Sequence, residues 1–193
     1  SKLESGGLLV GNFVPLERFA LNLRSKMPHF LYLIILPFYF LLHRVFPKLT
    51  ITKQIYFIIT KGKNRVLSKS ELLGRLAFCG YEIINEITIE DKFYFICKKK
   101  KTVSEEKSPS YGPIVKLKRI GYNGEPLYIY KLRTMYPYSE FIQGDIYEKY
   151  HLDKSGKMKG DYRITSWGKI FRKYFLDEIP QIYNWIKGDI KLV

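Results

Sequence analysis

The stretch Ile114-Val-Lys-Leu-Lys-Arg-Ile-Gly-Tyr-Asn-Gly-Glu-Pro-Leu-Tyr-Ile-Tyr-Lys-Leu132 decides how the rest of the chain is read. Apolar and charged residues alternate through Ile114–Ile120 and again through Leu127–Leu132, and between them Asn123-Gly124 offers two residues that accept positive φ at low cost. The pattern predicts an antiparallel hairpin. A two-stranded ribbon is marginal alone and must pack on helices, so helical patterns around it point to an α/β fold of the mixed α+β kind. The second strand runs into Lys131-Leu-Arg133-Thr134-Met135. Two cations and a hydroxyl at a strand end can grip a phosphate, although exposed strands carry such residues without any ligand.

Downstream, Tyr136 to Asp161 is polar, with Gly144, Gly156, Gly160 and a helical patch near Phe141 to Tyr150, and reads as a mobile cover. Arg163-Ile-Thr165-Ser-Trp-Gly168-Lys-Ile-Phe-Arg172-Lys173 reads as a basic helix start. A second helix is predicted from Leu176-Asp177-Glu178-Ile-Pro180-Gln181, with Asp177 as its N-cap, Ile179, Ile182, Tyr183 and Ile186 as its apolar face, and Gly188 as its stop. Asp177 and Glu178 then have two readings. They are a cap and a first-turn acid that complements the helix dipole, or they are adjacent carboxylates which, beside Arg163, Arg172 and Lys173, serve a phosphorylated, metal-bound substrate. Local spacing leaves both open.

Upstream, Lys98 to Ser110 is a lysine-rich, polar linker, and it divides the chain into segments 1–107 and 108–193. In the first segment Gly6-Gly7 turns into a short strand, and Gln54 to Thr60, rich in β-branched and aromatic residues, is read as another. Ser68 opens a helix as N-cap, with Glu71 at the capping-box position, and Gly80 stops it. Glu82 to Glu86 and Lys92 to Cys97 are two further strands.

The most apolar run is Phe30-Leu-Tyr-Leu-Ile-Ile-Leu-Pro37-Phe-Tyr-Phe-Leu-Leu42. As a helix it would span about 20 Å, short of the roughly 30 Å hydrocarbon core, and Pro37 removes a backbone donor and should kink or break it. That suits a re-entrant or interfacial membrane helix over residues 28–47; a buried core helix is the alternative. The flanks favour a membrane surface. Arg18 to Ser70 holds ten Lys or Arg and no Asp or Glu, a one-signed stretch that an anionic leaflet attracts.

Over all 193 residues, Lys+Arg 33 against Asp+Glu 18 gives +15, which points to anionic partners: phosphorylated small molecules, an acidic membrane or nucleic acid. The 46% apolar content excludes wholesale disorder. Two cysteines, Cys79 and Cys97, with no Cys/His cluster exclude a zinc module and a disulfide framework. No signal peptide is expected, since the apolar run starts only at Phe30 and no small-residue cleavage site follows it.

Two resemblances follow. Segment 1–107, through its Leu-x-x-Gly-Gly turn before a strand, the helix from Ser68 to Gly80, Gly-Tyr-Glu-Ile and the closing hairpin, weakly resembles the C-terminal half of a class I methyltransferase-like α/β fold. The glycine-rich cofactor loop of such folds would lie upstream of Ser1, and methyl transfer is not expected. The second resemblance is specific. Arg119-x-Gly121, Lys-Leu-Arg-Thr-Met, Arg-x-Thr-x-x-Gly-x-x-x-Arg, Leu-Asp-Glu-x-Pro-Gln, Asn184 and Lys187-Gly-Asp-Ile-Lys-Leu-Val193 resemble, in order, the bacterial sugar transferase family of polyprenyl-phosphate hexose-1-phosphate transferases.

This resemblance implies transfer of a sugar-1-phosphate from a nucleotide diphosphate sugar to a membrane polyprenyl phosphate, initiating polysaccharide synthesis at the cytoplasmic face of the bacterial inner membrane. By it, Asp177 matches the carboxylate nucleophile of a covalent aspartyl-phosphosugar intermediate, and Glu178 the neighbouring acid that helps hold Mg2+. Lys131, Arg133, Thr134 and Arg172 take the phosphate-binding role, with Arg163 and Lys173. The family pattern continues beyond Val193, so the chain is expected to be truncated at its C-terminus. Two other functions remain open: a basic, aromatic-rich nucleic-acid-binding module, against which stands the absence of any recognised binding motif, and a membrane-bound scaffold without catalysis.

Overall fold

The computed structural model describes residues 3–61, 66–100, 112–150 and 160–191, and the chain divides into two units, Ser1–Val103 and Ser104–Val193. Most of the predicted linker, the centre of the Lys61–Leu67 loop and the stretch 151–159 of the predicted cover lie outside the described residues. The fold is mixed, with helices and small antiparallel sheets in both units.

In the first unit, strand β1 (Leu8–Phe13) is followed by helices α1 (Leu16–Lys26), α2 (His29–Phe40), α3 (Thr50–Thr60) and α4 (Lys69–Phe78), then by β2 (Tyr81–Ile89) and β3 (Lys92–Lys99). The sheet order is β1-β3-β2, antiparallel throughout, so the closing hairpin places β3 in the centre. The alternation of β3 sends Phe93, Phe95 and Cys97 into the core with Leu16 and Leu73. Gly11 lies against the Phe95 ring, where a Cβ would come within 2.6 Å of it.

Three expectations for this unit need correction. Gln54 to Thr60 is not a strand but the body of α3. The β-branched residues concealed a helical period: Ile51, Ile55, Ile58 and Ile59 fall on one exposed face, and Tyr56 alone is buried on the other. Pro37 does not break its helix. α2 runs through it to Phe40, the backbone then passes into a wide π-type turn at Leu41–Val45, and the sharp bend falls at Phe46–Lys48, where Pro47 sits. The bend is fastened by Thr52 Oγ1 donating to the Phe46 carbonyl at 2.8 Å and by the His43 Nδ1–Tyr56 OH contact at 3.1 Å.

The capping box of α4 also forms only in part. Ser68 Oγ accepts the Glu71 N–H at 3.0 Å, but the Glu71 carboxylate turns inward to Arg44 at 2.7 Å and Arg75 at 2.8 Å. Glu71 is wholly buried, and a second cation outcompetes one backbone N–H for it. Arg44, at the end of the apolar segment, is thereby tied to α4.

α2 has no buried residue among those described: Phe30, Leu33, Ile34 and Phe38 are exposed. Among the described residues no single helix is long and apolar enough to cross a membrane, while His29–Val45 and Thr50–Thr60 form an apolar pair bent by 97°.

In the second unit, the hairpin of β4 (Ile114–Ile120) and β5 (Pro126–Leu132) pairs Lys116 with Tyr130 and Lys118 with Tyr128. Asn123 and Gly124 hold the positive φ the turn requires. Helices α5 (Gln143–Tyr150), α6 (Ser166–Lys173) and α7 (Gln181–Ile186) complete the unit. The start of the predicted cover is instead core, because Tyr136, Tyr138, Ile142 and Ile146 turn their apolar groups inward and are buried.

Candidate active site

Strand β5 ends at Leu132, and the next residues are held from several sides. Arg133 N–H donates to the Pro113 carbonyl at 2.6 Å and its Nε to the Gly112 carbonyl at 2.8 Å. The Thr134 carbonyl accepts both the N–H and the hydroxyl of Thr165, at 2.9 and 3.0 Å. Thr165 also caps α6, accepting the Gly168 N–H at 3.0 Å. This crossing leaves no room for a side chain at Gly168, since a Cβ there would lie 2.2 Å from the Thr134 carbonyl oxygen.

α6 in turn aims Arg172 back at the strand end, where its Nε donates to Thr134 Oγ1 at 2.9 Å. Arg163 is buried and gripped on two sides by Asp161, at 2.9 and 2.8 Å. Burial pushes the Asp161 carboxyl up, but its bonds to Arg163 and the nearby Arg163 and Arg172 charges prevail and hold it below its ordinary value. Burial lowers the Arg133 guanidinium from its ordinary value, and the Glu140 charge opposes that shift.

Lys131, Arg133, Thr134, Arg163 and Arg172 all line one cavity of about 370 Å³, with Ser139, Glu140 and Gln143 on its wall. Five of the eight residues singled out from the sequence therefore converge, although they are distributed over 42 positions from 131 to 172. Lys173, Asp177 and Glu178 do not line that cavity. Lys173 is exposed and rests over the Tyr174 ring. Glu178 reaches the group through Lys131, whose Nζ lies 2.5 Å from its Oε1.

Asp177 is not the N-cap of the following helix. It sits in a separate 3-10 turn, Leu176–Glu178, entered through a left-handed Phe175, and α7 begins only at Gln181 with Pro180 before it. Pro180 has no N–H to donate back to Leu176, whose carbonyl accepts the Ile179 N–H at 3.4 Å instead, and the predicted single helix is divided into two short ones. The cap reading of Asp177 required its carboxylate to accept a backbone N–H. Asp177 is 8% exposed, and among the described residues its carboxylate makes no hydrogen bond or ion pair.

Sequence reasoning missed Asp161, Glu140 and the role of Asn184. Asp161 carried a signal in its Asp-x-Arg spacing; Glu140 carried none. Asn184 is fully buried, donates to the Tyr128 carbonyl at 2.7 Å and accepts the Tyr130 N–H at 3.1 Å, which fastens α7 to the edge of β5.

No group of three His, Cys, Asp or Glu side chains able to hold a metal exists among the described residues. Asp177 and Glu178 fit Mg2+ only in its common substrate-assisted mode, where one or two carboxylates share the ion with phosphate oxygens and water.

Comparison with known proteins bears on the second unit. Residues 103–193 match the family model described as Bacterial sugar transferase. The galactosyl transferase CpsE of Streptococcus agalactiae serotype III is 42% identical over 78 residues, covering 39% of this chain and 17% of that protein. The undecaprenyl-phosphate galactose phosphotransferase of Salmonella typhimurium is 39% identical over 80 residues, again 39% and 17%. The exopolysaccharide production protein ExoY of Rhizobium meliloti is 37% identical over 83 residues, 39% of this chain and 36% of that protein. The aligned stretch thus spans between 17% and 36% of the length of these relatives. The motifs that set the strand end, the α6 crossing and the Asp177 turn are one connected set in one unit, and over residues 103–193 the chain is similar to the bacterial sugar transferase family.

Proposed function

We propose that this chain takes part in transferring a sugar-1-phosphate from a nucleotide diphosphate sugar to a membrane polyprenyl phosphate, at the cytoplasmic face of the bacterial inner membrane. The observation that carries the reading is the state of Asp177: a nearly buried carboxylate with no hydrogen bond or ion pair among the described residues, next in sequence to the Glu178–Lys131 pair. A carboxylate left without donors retains its nucleophilicity, whereas a structural cap would have spent its lone pairs on backbone N–H groups. Related proteins named as undecaprenyl-phosphate phosphotransferases support the same class of reaction.

In this reading, a carboxylate oxygen of Asp177 attacks the phosphorus next to the sugar. The Asp–O–P bond forms as the bridging P–O bond breaks, and nucleoside monophosphate leaves with the bonding pair. A phosphate oxygen of the polyprenyl acceptor then attacks the same phosphorus, and the Asp177 carboxylate is regenerated. Two anions that repel each other thereby react in two steps at one site. Lys131, Arg133 and Arg172 offset the phosphate charge, with Arg163 and Lys173 contributing further positive potential. Thr134 acts by holding the Arg172 guanidinium. Glu178, with Asp177 beside it, would hold Mg2+, which when bound neutralises phosphate charge.

The membrane surface belongs to the same proposal. The first unit offers the exposed apolar faces of α2 and α3 within an acid-free basic stretch. In the second, Trp167, Ile170, Tyr174, Phe175, Ile182 and Trp185 are exposed among Lys169, Lys173 and Lys187, an interfacial mixture of aromatic and basic side chains.

The test uses full-length protein in detergent with Mg2+, a panel of radiolabelled nucleotide diphosphate sugars and no lipid acceptor. Covalent label with release of nucleoside monophosphate is expected, and Asp177→Asn should lose it. A folded Asp177→Asn protein that still takes label, or a folded wild type that takes none from any donor, would overturn the assignment.

A further inference from the structure

We propose that Asn184 is a positioning residue, whose buried carboxamide fixes the Asp177–Glu178 turn against the end of strand β5. The proposal rests on the reading above, in which Asp177 carries the transfer. β4 pairs along one edge of β5, and by the alternation of an antiparallel ladder the Tyr128 carbonyl and the Tyr130 N–H point to the other edge. Asn184 meets both, donating through Nδ2 at 2.7 Å and accepting through Oδ1 at 3.1 Å, so its side chain stands where a third strand would pair. The second Nδ2 hydrogen goes to Asp189 Oδ2 at 3.0 Å.

The placement of these bonds gives them their consequence. Tyr130 immediately precedes Lys131, and Asn184 follows Glu178 by a single bend and the first turn of α7. The segment from Glu178 to Asn184 is therefore attached to β5 at both ends, by the Lys131–Glu178 pair at 2.5 Å and by the Asn184 amide, with the Tyr183 ring edge-on to Tyr130 at 5.4 Å between them. No other side chain of this size supplies the donors and the acceptor together. Asp at this position would face the Tyr128 carbonyl with an acceptor, and Ser would leave one or both backbone groups buried without a partner. Asp189 steadies the carboxamide, and Lys187 Nζ, at 3.0 and 3.2 Å from the Asp189 carboxylate oxygens, holds Asp189 in turn.

The test is steady-state transfer by the full-length protein in detergent, with undecaprenyl phosphate and the UDP-hexose that labels the wild type. Asn184→Ser and Asn184→Asp should lower kcat about 100-fold while KM for the UDP-hexose stays within about 3-fold, the pattern of a misplaced reacting group. Asp189→Ala, which opens no cavity in the core, should lower kcat about 10-fold and keeps the question answerable should the Asn184 variants not fold. A purely structural role would give a different result in the Lys131→Met background. There Asn184→Ser should cost at most a further 3-fold or so in kcat, because the tie it maintains is already cut, while its loss of thermal stability stays the same in both backgrounds.

Additive kcat losses, or wild-type kcat in folded Asn184 and Asp189 variants, would overturn the positioning role. Failure of the transfer reading is recognised separately, by label that persists in Asp177→Asn.

Discussion

The Asp161–Arg163 pair shows how one residue can look like a ligand and act as framework. Arg163 lines the cavity, yet its guanidinium is held on two sides by a largely buried carboxylate. The native Asp161 carboxyl titrates below its ordinary value of about 3.9. At acid pH the unfolded chain therefore binds the proton more readily than the folded one. The stabilisation is fully present above about pH 4 and is lost as pH falls through the native value. Asp161→Asn should cost about 3 kcal/mol at neutral pH by leaving a buried guanidinium without its charge partner. In urea titrations the gap between wild type and variant should close as pH drops below about 4. A gap that is constant from neutral to strongly acid pH would show that the pair contributes no linked stability.

At the scale of elements, the site depends on how closely α6 approaches the strand end. Thr165 caps the helix and bonds the Thr134 carbonyl, and Gly168 lets the helix backbone lie against that same oxygen. A methyl group there would meet the Thr134 carbonyl oxygen at 2.2 Å and the capping Thr165 hydroxyl at 2.7 Å. Gly168→Ala should therefore destabilise the unit by about 1–3 kcal/mol despite the higher helix propensity of alanine, and it should move Arg172 away from Thr134. Thermal melts and transfer assays check this together, and a variant as stable and active as wild type would contradict the close crossing. The same scale explains the misreading of α3. A window of β-branched residues scored as a strand, while its apolar positions at intervals of four, three and one carried the helical period.

For the whole molecule, charge and apolar exposure coincide. The first unit carries the ten-cation, acid-free stretch from Arg18 to Ser70 around helices whose isoleucines, leucines and phenylalanines face outward, with Ile51 at 83% exposure. Each cation near an anionic leaflet contributes about 1 kcal/mol, and the effect falls with salt. Full-length protein should sediment with vesicles containing phosphatidylglycerol more than with neutral vesicles, and added salt should weaken the difference. Replacing Ile51 and Ile58 by Glu should abolish binding to both. Binding that ignores lipid charge and survives the glutamates would remove the membrane surface from the proposal.

The hairpin, the Ser68 cap and the glycine stops were legible in the sequence, because each depends on φ/ψ preference or spacing within a few residues. The ordered motifs behind the likeness of residues 103–193 to the bacterial sugar transferase family were legible there as well. Packing settled the rest. It took the Glu71 carboxylate from its capping box to Arg44 and Arg75, carried the helix through Pro37, and separated Asp177 from the helix it was expected to cap. It also turned Asn184 from a motif letter into the link between α7 and β5. In the two side-chain cases, Glu71 and Asn184, the deciding partner lies 27 or more positions away. Bonds of that reach depend on which surfaces pack together, a property of the folded chain that no local window contains.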